Sequence, residues 1–218
     1  MKVQWMGHAS FLLTSADGTR VLTDPYEPGG FDGAVGYGAI DLPVDLVTVS
    51  HDHADHNYVK GLRGNPKVVS GAGNKKERGI RFVGIPSFHD QREGKDRGAN
   101  TIFCWEMDGI SICHLGDLGE ALSASQVAQM GKVDILLVPV GGYFTIDAVQ
   151  ASTIVDQLKP AVVIPMHFKT EVLNFPVAKV EGFTRHYEKV RFFESSEFDI
   201  TKESLPKETE VWVLKYAR

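Results

Sequence analysis

The sequence predicts a mixed α/β protein, on three observations. Short apolar, β-branched runs recur along the chain, as at residues 45–50, 134–140 and 161–165. Runs of this length bounded by Gly, Pro or Asp read as buried strands. Two Asp-Gly dipeptides, Asp17-Gly18 and Asp108-Gly109, stand between strand-like stretches and signal tight hairpins. Two segments with a helical apolar pattern, 121–130 and 146–158, fall between the later strands.

The elements follow in order. Residues 2–6 and 10–15 are strand-like and are separated by Gly7-His8-Ala9. Asp17-Gly18 turns the chain into a run ending at Asp24-Pro25, and the proline discourages continuation of a central strand. Asp24 therefore reads either as an acid reaching a site or as a turn former. Residues 27–40, rich in Gly and carrying Phe31, Tyr37 and Ile40, are a loop placed to roof a site. After the strand at 45–50 a short helix is expected over 56–62, then a strand at Val68-Val69. Residues 71–79 are expected as a polar helix or loop. Residues 81–85 form a strand leading to His89, and 91–100 an exposed, charged rim. The Asp108-Gly109 hairpin sets Met107 opposite Ile110 and Cys104 opposite Cys113. This pairing would admit a disulfide, while a reducing compartment would keep the two cysteines as mostly buried free thiols, the reading expected here. Thr145 is the expected N-cap of the helix over 146–158. A further helix is expected near 176–182, and a last strand at 210–214.

Composition narrows the function classes. The 218 residues carry a net charge of −5 and no basic run, which argues against nucleic acid as the main partner. No apolar stretch reaches membrane-spanning length. The N-terminal residues run straight into strand-like sequence, without a signal peptide's apolar region, so a cytoplasmic protein is expected.

The densest chemistry is His51-Asp52-His53-Ala54-Asp55-His56. Three imidazoles and two carboxylates in six residues suit a divalent metal. His51 and His53, two apart on an extended strand end, point the same way; Asp55 and His56 face a second position. A polar surface loop would draw on Lys, Glu, Ser and Gly instead. Asp24, His89, Asp117 and His167 each follow their own β-run, so several strands deliver a candidate ligand at one end. His114 stands on a strand with Ile110 and Ile112 on the same face, and His186, among charged neighbours, reads as a surface residue.

This order of residues resembles the metallo-β-lactamase superfamily. More closely it resembles a branch of small metal-dependent hydrolases that includes L-ascorbate-6-phosphate lactonase-like proteins. The branch features are Gly7-His8-Ala9-Ser10-Phe11, His114-Leu115-Gly116-Asp117-Leu118-Gly119, Pro139-Val140-Gly141-Gly142, Thr145-Ile146-Asp147-Ala148 and Pro165-Met166-His167-Phe168-Lys169-Thr170. The likeness covers residues 1–170 and extends weakly to the final strand. It implies a single domain over 1–218 and a four-layer αββα sandwich with the site along one edge. It also implies one metal on His51, His53 and His89 and a second on Asp55, His56 and His167, with Asp117 bridging both. Asp24 is implied to orient ligands, His8 to act near the reaction, and His114 to support the site by hydrogen bonding. Glu120 departs from relatives, in which His often follows the Gly-Asp-Leu-Gly stretch.

The resemblance thus implies a hydrolase with two divalent ions, Zn²⁺ first, with Mn²⁺, Fe²⁺, Ni²⁺ or Co²⁺ as alternatives. A bridging hydroxide would attack a small ester, lactone or phosphodiester, and Asp55 would orient it. Diiron oxygen-reducing relatives carry Glu where His53 stands here, which favours hydrolysis over redox chemistry. Gly141-Gly142 reads either as an oxyanion-binding backbone or as a strand terminator. The alternatives are a nucleic-acid phosphodiesterase and a non-catalytic metal-binding module of the same fold. The expected partner is a small-molecule substrate, anionic in character, with neither nucleic acid nor membrane; the oligomeric state is open, a homo-oligomer included. Pocket walls are expected from residues 26–40, 90–100, 143–145 and 168–185, with Tyr26, Tyr37, Arg92, Arg97, Tyr143, Phe144 and Lys169 as the rim.

Overall fold

A computed structural model describes residues 1–218. The chain forms two β-sheets packed face to face. The first sheet takes β1 (Lys2–Gly7), β2 (Ser10–Thr14), β3 (Arg20–Thr23), β4 (Leu46–Val49) and β5 (Lys67–Ser70) in sequence order. The second is opened by β6 (Gly73–Glu77), β7 (Ile80–Phe88), β8 (Ala99–Met107) and β9 (Ile110–His114). There follow α1 (Ala124–Met130), β10 (Ile135–Pro139), α2 (Ala148–Leu158), β11 (Val162–Met166) and α3 (Glu181–Thr184). The chain ends with β12 (Val190–Phe192), β13 (Glu197–Asp199) and β14 (Glu210–Val213). Strand β13 crosses back to the edge of the first sheet beside β1, and the second sheet runs β12-β14-β11-β10-β9-β8-β7-β6. The fold class is the mixed α/β, two-sheet architecture expected.

Side-chain alternation makes the first sheet two-faced. Val3, Phe11, Leu13, Val21 and Leu46 join a core of 45 buried residues between the sheets. Their neighbours Leu12, Leu22, Val47 and Val49 point the other way, into a second cluster of 12 buried residues. That second cluster is closed by Tyr26, Val35, Tyr37 and Ile40 from the loop after β3 and by Leu173 and Val177. Each such side chain, fully withdrawn from water, contributes about 1.5–3 kcal/mol. The outer face of this sheet is thus covered by loops, and no α-helix precedes Ala124.

Local departures from expectation have local causes. The segment expected as a helix over 56–62 is one 3₁₀ turn, Val59–Gly61; the Tyr58 amide is drawn to the Pro25 carbonyl instead. Residues 73–77 are an edge strand, not a helix or loop; they pair with β7 while burying none of their side chains. The N-cap of α2 is Asp147 rather than Thr145. Its carboxylate accepts from the amides of Val149 and Gln150, and Gln150 completes a capping box. The last helix begins at Glu181, later than expected. The β8–β9 hairpin has the expected register, with Met107 opposite Ile110 and Cys104 opposite Cys113. The two thiols are free and buried, 3.2 Å apart.

Candidate metal centre

Six strands end at one seam between the sheets. From the first sheet β1 delivers His8, β3 delivers Asp24, and β4 runs into Ser50 and the 51–56 motif. From the second, β7 delivers His89, β9 leads to Asp117, and β11 delivers His167. The two sides are stitched where the Thr101 amide donates to the Ser50 carbonyl (2.9 Å) and the His167 amide to the His8 carbonyl (3.3 Å). His8, Asp24 and His167 all adopt left-handed backbone conformations, with φ of 52°, 36° and 51°. Such strained residues cost about 1–3 kcal/mol each and persist where surrounding structure enforces them.

Asp117 stands at the centre. Its Oδ2 lies 3.2 Å from His56 Nε2, 3.2 Å from His89 Nε2, 3.3 Å from His167 Nε2 and 3.9 Å from His51 Nε2. On one side His51, His53 and His89 bring their ring nitrogens within 4.8 Å of one another; on the other, His8, Asp55, His56 and His167 do the same. All seven residues expected as ligands are therefore gathered, with His8 beside them. His186 is exposed and apart.

Hydrogen bonds turn the rings. Asp24, fully buried, accepts from the Ser50 amide (2.9 Å) and from the Ser50 hydroxyl, and its Oδ2 faces His56 Nδ1 at 2.9 Å. The Ser50 oxygen in turn faces His51 Nδ1 at 2.9 Å. Both Nδ1 atoms therefore carry the proton, which leaves the Nε2 lone pairs of His51 and His56 aimed into the centre. His114 donates from Nε2 to the Ala9 carbonyl (2.8 Å) and accepts at Nδ1 from the Gly116 amide (3.1 Å). Both of its nitrogens are used, and it ties the His8 loop to the Asp117 loop. His8 Nε2 meets Asp55 Oδ2 at 3.0 Å.

The electrostatics call for positive charge. Burial opposes protonation of His56, yet the Asp117 and Asp55 carboxylates raise its pKa well above the usual range, an attraction for a proton at Nε2 that a cation in the centre would answer instead. Burial likewise opposes ionisation of Asp117, but His167 and His56 hold its carboxyl well below the usual range. His51, buried and beside His56, is pushed down to about 3, and His8, buried beside His167, to about 4. The fit to a divalent cation rests on orphaned atoms. His56 Nε2 and Asp117 Oδ1 are buried without a hydrogen-bond partner, and His51 Nε2 faces His53 Nδ1 at 2.9 Å. Buried polar atoms left so are costly unless something answers them, and an imidazole–carboxylate donor set without thiolates suits Zn²⁺ and its neighbours.

Three supports were not singled out in the sequence. Asn100 donates to the Leu115 carbonyl and accepts from the Asp117 amide, fixing that turn. Asp90, next to His89, accepts from the amides of Arg92, Gly94, Asp96 and Arg97. Ser50 relays Asp24 to His51. A lone Asn, Asp or Ser carries no signal until its distant partner is known. Glu120 accepts from the Phe88 amide at 3.1 Å, bracing the strand end before His89.

A cleft of about 300 Å³ opens over the centre, floored by His53, Asp55, His89, Asp117 and His167. Its walls are Phe31, Arg97, Phe144 and Phe175, one from each of the four segments expected to build it. The rim differs from expectation in detail. Tyr26 and Tyr37 are buried behind the wall, with hydroxyls bonded to Met6 and Gly38 carbonyls and to Thr170. Lys169 points to the Phe175 carbonyl, Arg92 pairs with Asp96, and Tyr143 meets Phe144 edge to face from outside. Gly142 spends its amide on the Ile146 carbonyl, and a Cβ at Gly141 would lie 2.2 Å from the His167 carbonyl. Close backbone packing accounts for this pair.

Comparison with known proteins agrees with this geometry. Residues 2–167 match the beta-lactamase superfamily domain. A UPF0173 metal-dependent hydrolase of Hyperthermus butylicus is 32% identical, over 82% of this chain and 86% of its own. One from Thermococcus onnurineus is 28% identical, over 78% and 85%. A crystal structure from Thermotoga maritima, of a proposed Zn-dependent hydrolase of the metallo-beta-lactamase superfamily, superposes with a TM-score of 0.81. It is 34% identical and covers 99% of both chains.

Proposed function

The chain belongs to the beta-lactamase superfamily and, within it, to the UPF0173 metal-dependent hydrolases, and from that premise we propose that it cleaves a small ester, lactone or phosphodiester at a two-metal site. The observation that carries this reading is Asp117 Oδ2, set among four imidazole Nε2 atoms at 3.2 to 3.9 Å. His51, His53 and His89 would hold one ion and Asp55, His56 and His167 the other, with the Asp117 carboxylate within reach of both groups. Zn²⁺ is the proposed ion, with Mn²⁺, Fe²⁺, Ni²⁺ and Co²⁺ admitted by the same donors.

Two such cations supply a water acidified toward neutral pH as nucleophile and positive charge for the oxygen that gathers negative charge. The chain's own residues do the rest. Asp24 and Ser50 keep the His56 and His51 lone pairs turned inward. Asp55 lines the cleft, and His56 and His8 hold its carboxyl below the usual range against burial. Ionised, it would orient the attacking water, whose pKa the bound cations lower, by accepting a hydrogen bond from its proton. The water oxygen bonds to the carbonyl carbon or phosphorus, the bond to the leaving oxygen breaks, and that proton ends on the leaving oxygen. His8 is fully buried and does not line the cleft. It acts through Asp55, donating from Nε2 and fixing the carboxylate's direction, as a positioning residue rather than a direct proton donor.

The test is metal analysis of wild type and Asp117→Ala by mass spectrometry, with a lactone, phosphodiester and β-lactam panel. About two ions per chain are expected in the wild type, with both metal and turnover lost in the variant. Full occupancy and activity in Asp117→Ala would overturn the two-metal reading. Metal bound without turnover of any class would favour a non-catalytic metal-binding module. A nucleic-acid substrate is disfavoured by the net charge of −5 and by the small cleft.

A further inference from the structure

The cleft has a chemically divided wall. Three rings make its apolar part: Phe175 stands edge-on to both Phe31 and Phe144, with centroids 5.5 Å apart in each pair. Phe31 is 52% exposed although its ring faces this space, an arrangement that burial within the chain alone does not reward. Opposite in character is Arg97. Its guanidinium makes no ion pair and no hydrogen bond; it rests over the Phe144 ring, 5.6 Å from the centroid. The wild cation is not on a loose arm. The Arg97 amide donates to Asp90 Oδ2 at 2.8 Å, and the same carboxylate binds three further amides of that loop. Asp90 directly follows His89, and the His89 amide donates to the Gly98 carbonyl at 3.1 Å. The position of the cation is thereby registered to the floor of the cleft.

We infer that Arg97 is a specificity residue, and that the substrate is a small anion with an apolar body. A carboxylate or phosphate would pair with the Arg97 guanidinium while the apolar part lies among Phe31, Phe144 and Phe175. A guanidinium offers forked donors that match either oxyanion. A ring beneath it excludes water and strengthens the pairing. A volume of about 300 Å³ is at the small end of ligand sites, so the body is of the size of one aryl ring or a short acyl chain. The inference rests on the hydrolase reading only for where the scissile bond lies.

Binding and turnover separate the two. Metal-loaded wild type and Arg97→Gln are titrated calorimetrically with 3-phenylpropionate, phenyl phosphate and the uncharged 3-phenylpropanamide. Both proteins are also assayed on two 4-nitrophenyl esters sharing one leaving group, the anionic hemiglutarate and the neutral valerate. In Arg97→Gln the dissociation constant for one or both anions should rise about ten- to hundredfold, the value expected for a charge-assisted hydrogen bond. The amide should be unaffected, and the preference for the anionic ester should disappear through KM. The stronger of the two anions identifies the oxyanion. Phe144→Ala should weaken 3-phenylpropionate but not acetate. Unchanged constants for both anions in Arg97→Gln would overturn the inference. Arg97-dependent anion binding without turnover of these esters or of any class in the lactone, phosphodiester and β-lactam panel would instead overturn the hydrolase reading and leave this one standing.

Discussion

His56 Nδ1 lies 2.9 Å from Asp24 Oδ2, with both side chains wholly out of water. The contact sets the tautomer of His56, and through Ser50 the same carboxylate sets that of His51. Asp24 touches no substrate space, so its effect should appear in metal affinity. Asp24→Asn keeps the shape but removes the charge. Loss of such support weakens metal binding by about 10- to 100-fold. Competition of the purified variant against a chelator of known affinity measures this, with circular dichroism to check the fold. An unchanged affinity in a folded Asp24→Asn protein would refute the role.

Asp90 makes an acid-dependent staple. Burial works against its charge, yet the amides of Arg97, Arg92, Asp96 and Gly94 hold its carboxyl down at about 2, below the ordinary 3.8. A carboxyl with a lowered folded pKa adds stability that is complete above its unfolded value and lost as pH falls through the folded one. The gap in melting temperature between wild type and Asp90→Asn should therefore be full at pH 6 and narrow between about pH 4 and pH 2. Amide exchange at residues 92–97 should quicken in the variant already at pH 6. A gap that stays constant down to pH 2 would contradict the assignment.

The strands that carry candidate ligands were legible because β-branched runs end abruptly at His51, His89 and His167, each followed by residues poor for strands. Buried strands announce themselves by composition. An edge strand such as Gly73-Asn74-Lys75-Lys76-Glu77 does not: it buries no side chain, and its lysines are what an exposed edge uses against aggregation. The capping residue of α2 is ambiguous in the sequence because two hydroxyl- or carboxyl-bearing candidates, Thr145 and Asp147, stand two apart. Only Asp147 has Gln150 three residues on. The candidate ligand cluster was legible as chemistry, since so many imidazoles at strand ends have few other uses. Its supports were not. Asn100 reaches Asp117 across 17 residues and Asp24 reaches His56 across 32, and no local pattern marks such pairs. The left-handed backbone of His8, Asp24 and His167 also has no sequence signal, because tertiary contacts enforce it.

Glycines at the site divide by what a methyl group would meet. At Gly119 a Cβ would lie 2.3 Å from the carbonyl carbon and oxygen of His89 and 2.5 Å from the Asp90 amide. These are backbone atoms and cannot swing aside. Gly119→Ala should displace His89, destabilising the fold by about 1–3 kcal/mol or more and lowering metal affinity if His89 serves as the proposed ligand. Gly182, in α3, meets nothing within 4 Å, so Gly182→Ala should be neutral or stabilise by up to about 1 kcal/mol. Urea denaturation of the two variants gives the comparison. Equal stability of both would show that the close approach at Gly119 relaxes without cost.

His114 is the one histidine of the seam with both nitrogens committed to backbone, the Ala9 carbonyl on one side and the Gly116 amide on the other. Ala9 keeps a second donor, the Thr23 hydroxyl at 3.0 Å, whereas Gly116 has a tight turn to hold, with φ of 57° and Asn100 and Ser50 packed against it. Replacing the imidazole by a ring of similar size without nitrogens should therefore tell mainly on the Gly116 side. His114→Phe should lower stability by about 1–3 kcal/mol, the cost of a buried amide left unpaired. It should also loosen Asp117, the residue after Gly116, and so reduce metal stoichiometry before it unfolds the chain. His114→Gln, which can supply a donor and an acceptor, should recover part of both. The measurements are denaturant midpoints and metal content of the two variants side by side. If the phenylalanine variant keeps its metal and its midpoint, the imidazole is a space-filler and the tie between the His8 and Asp117 loops lies elsewhere.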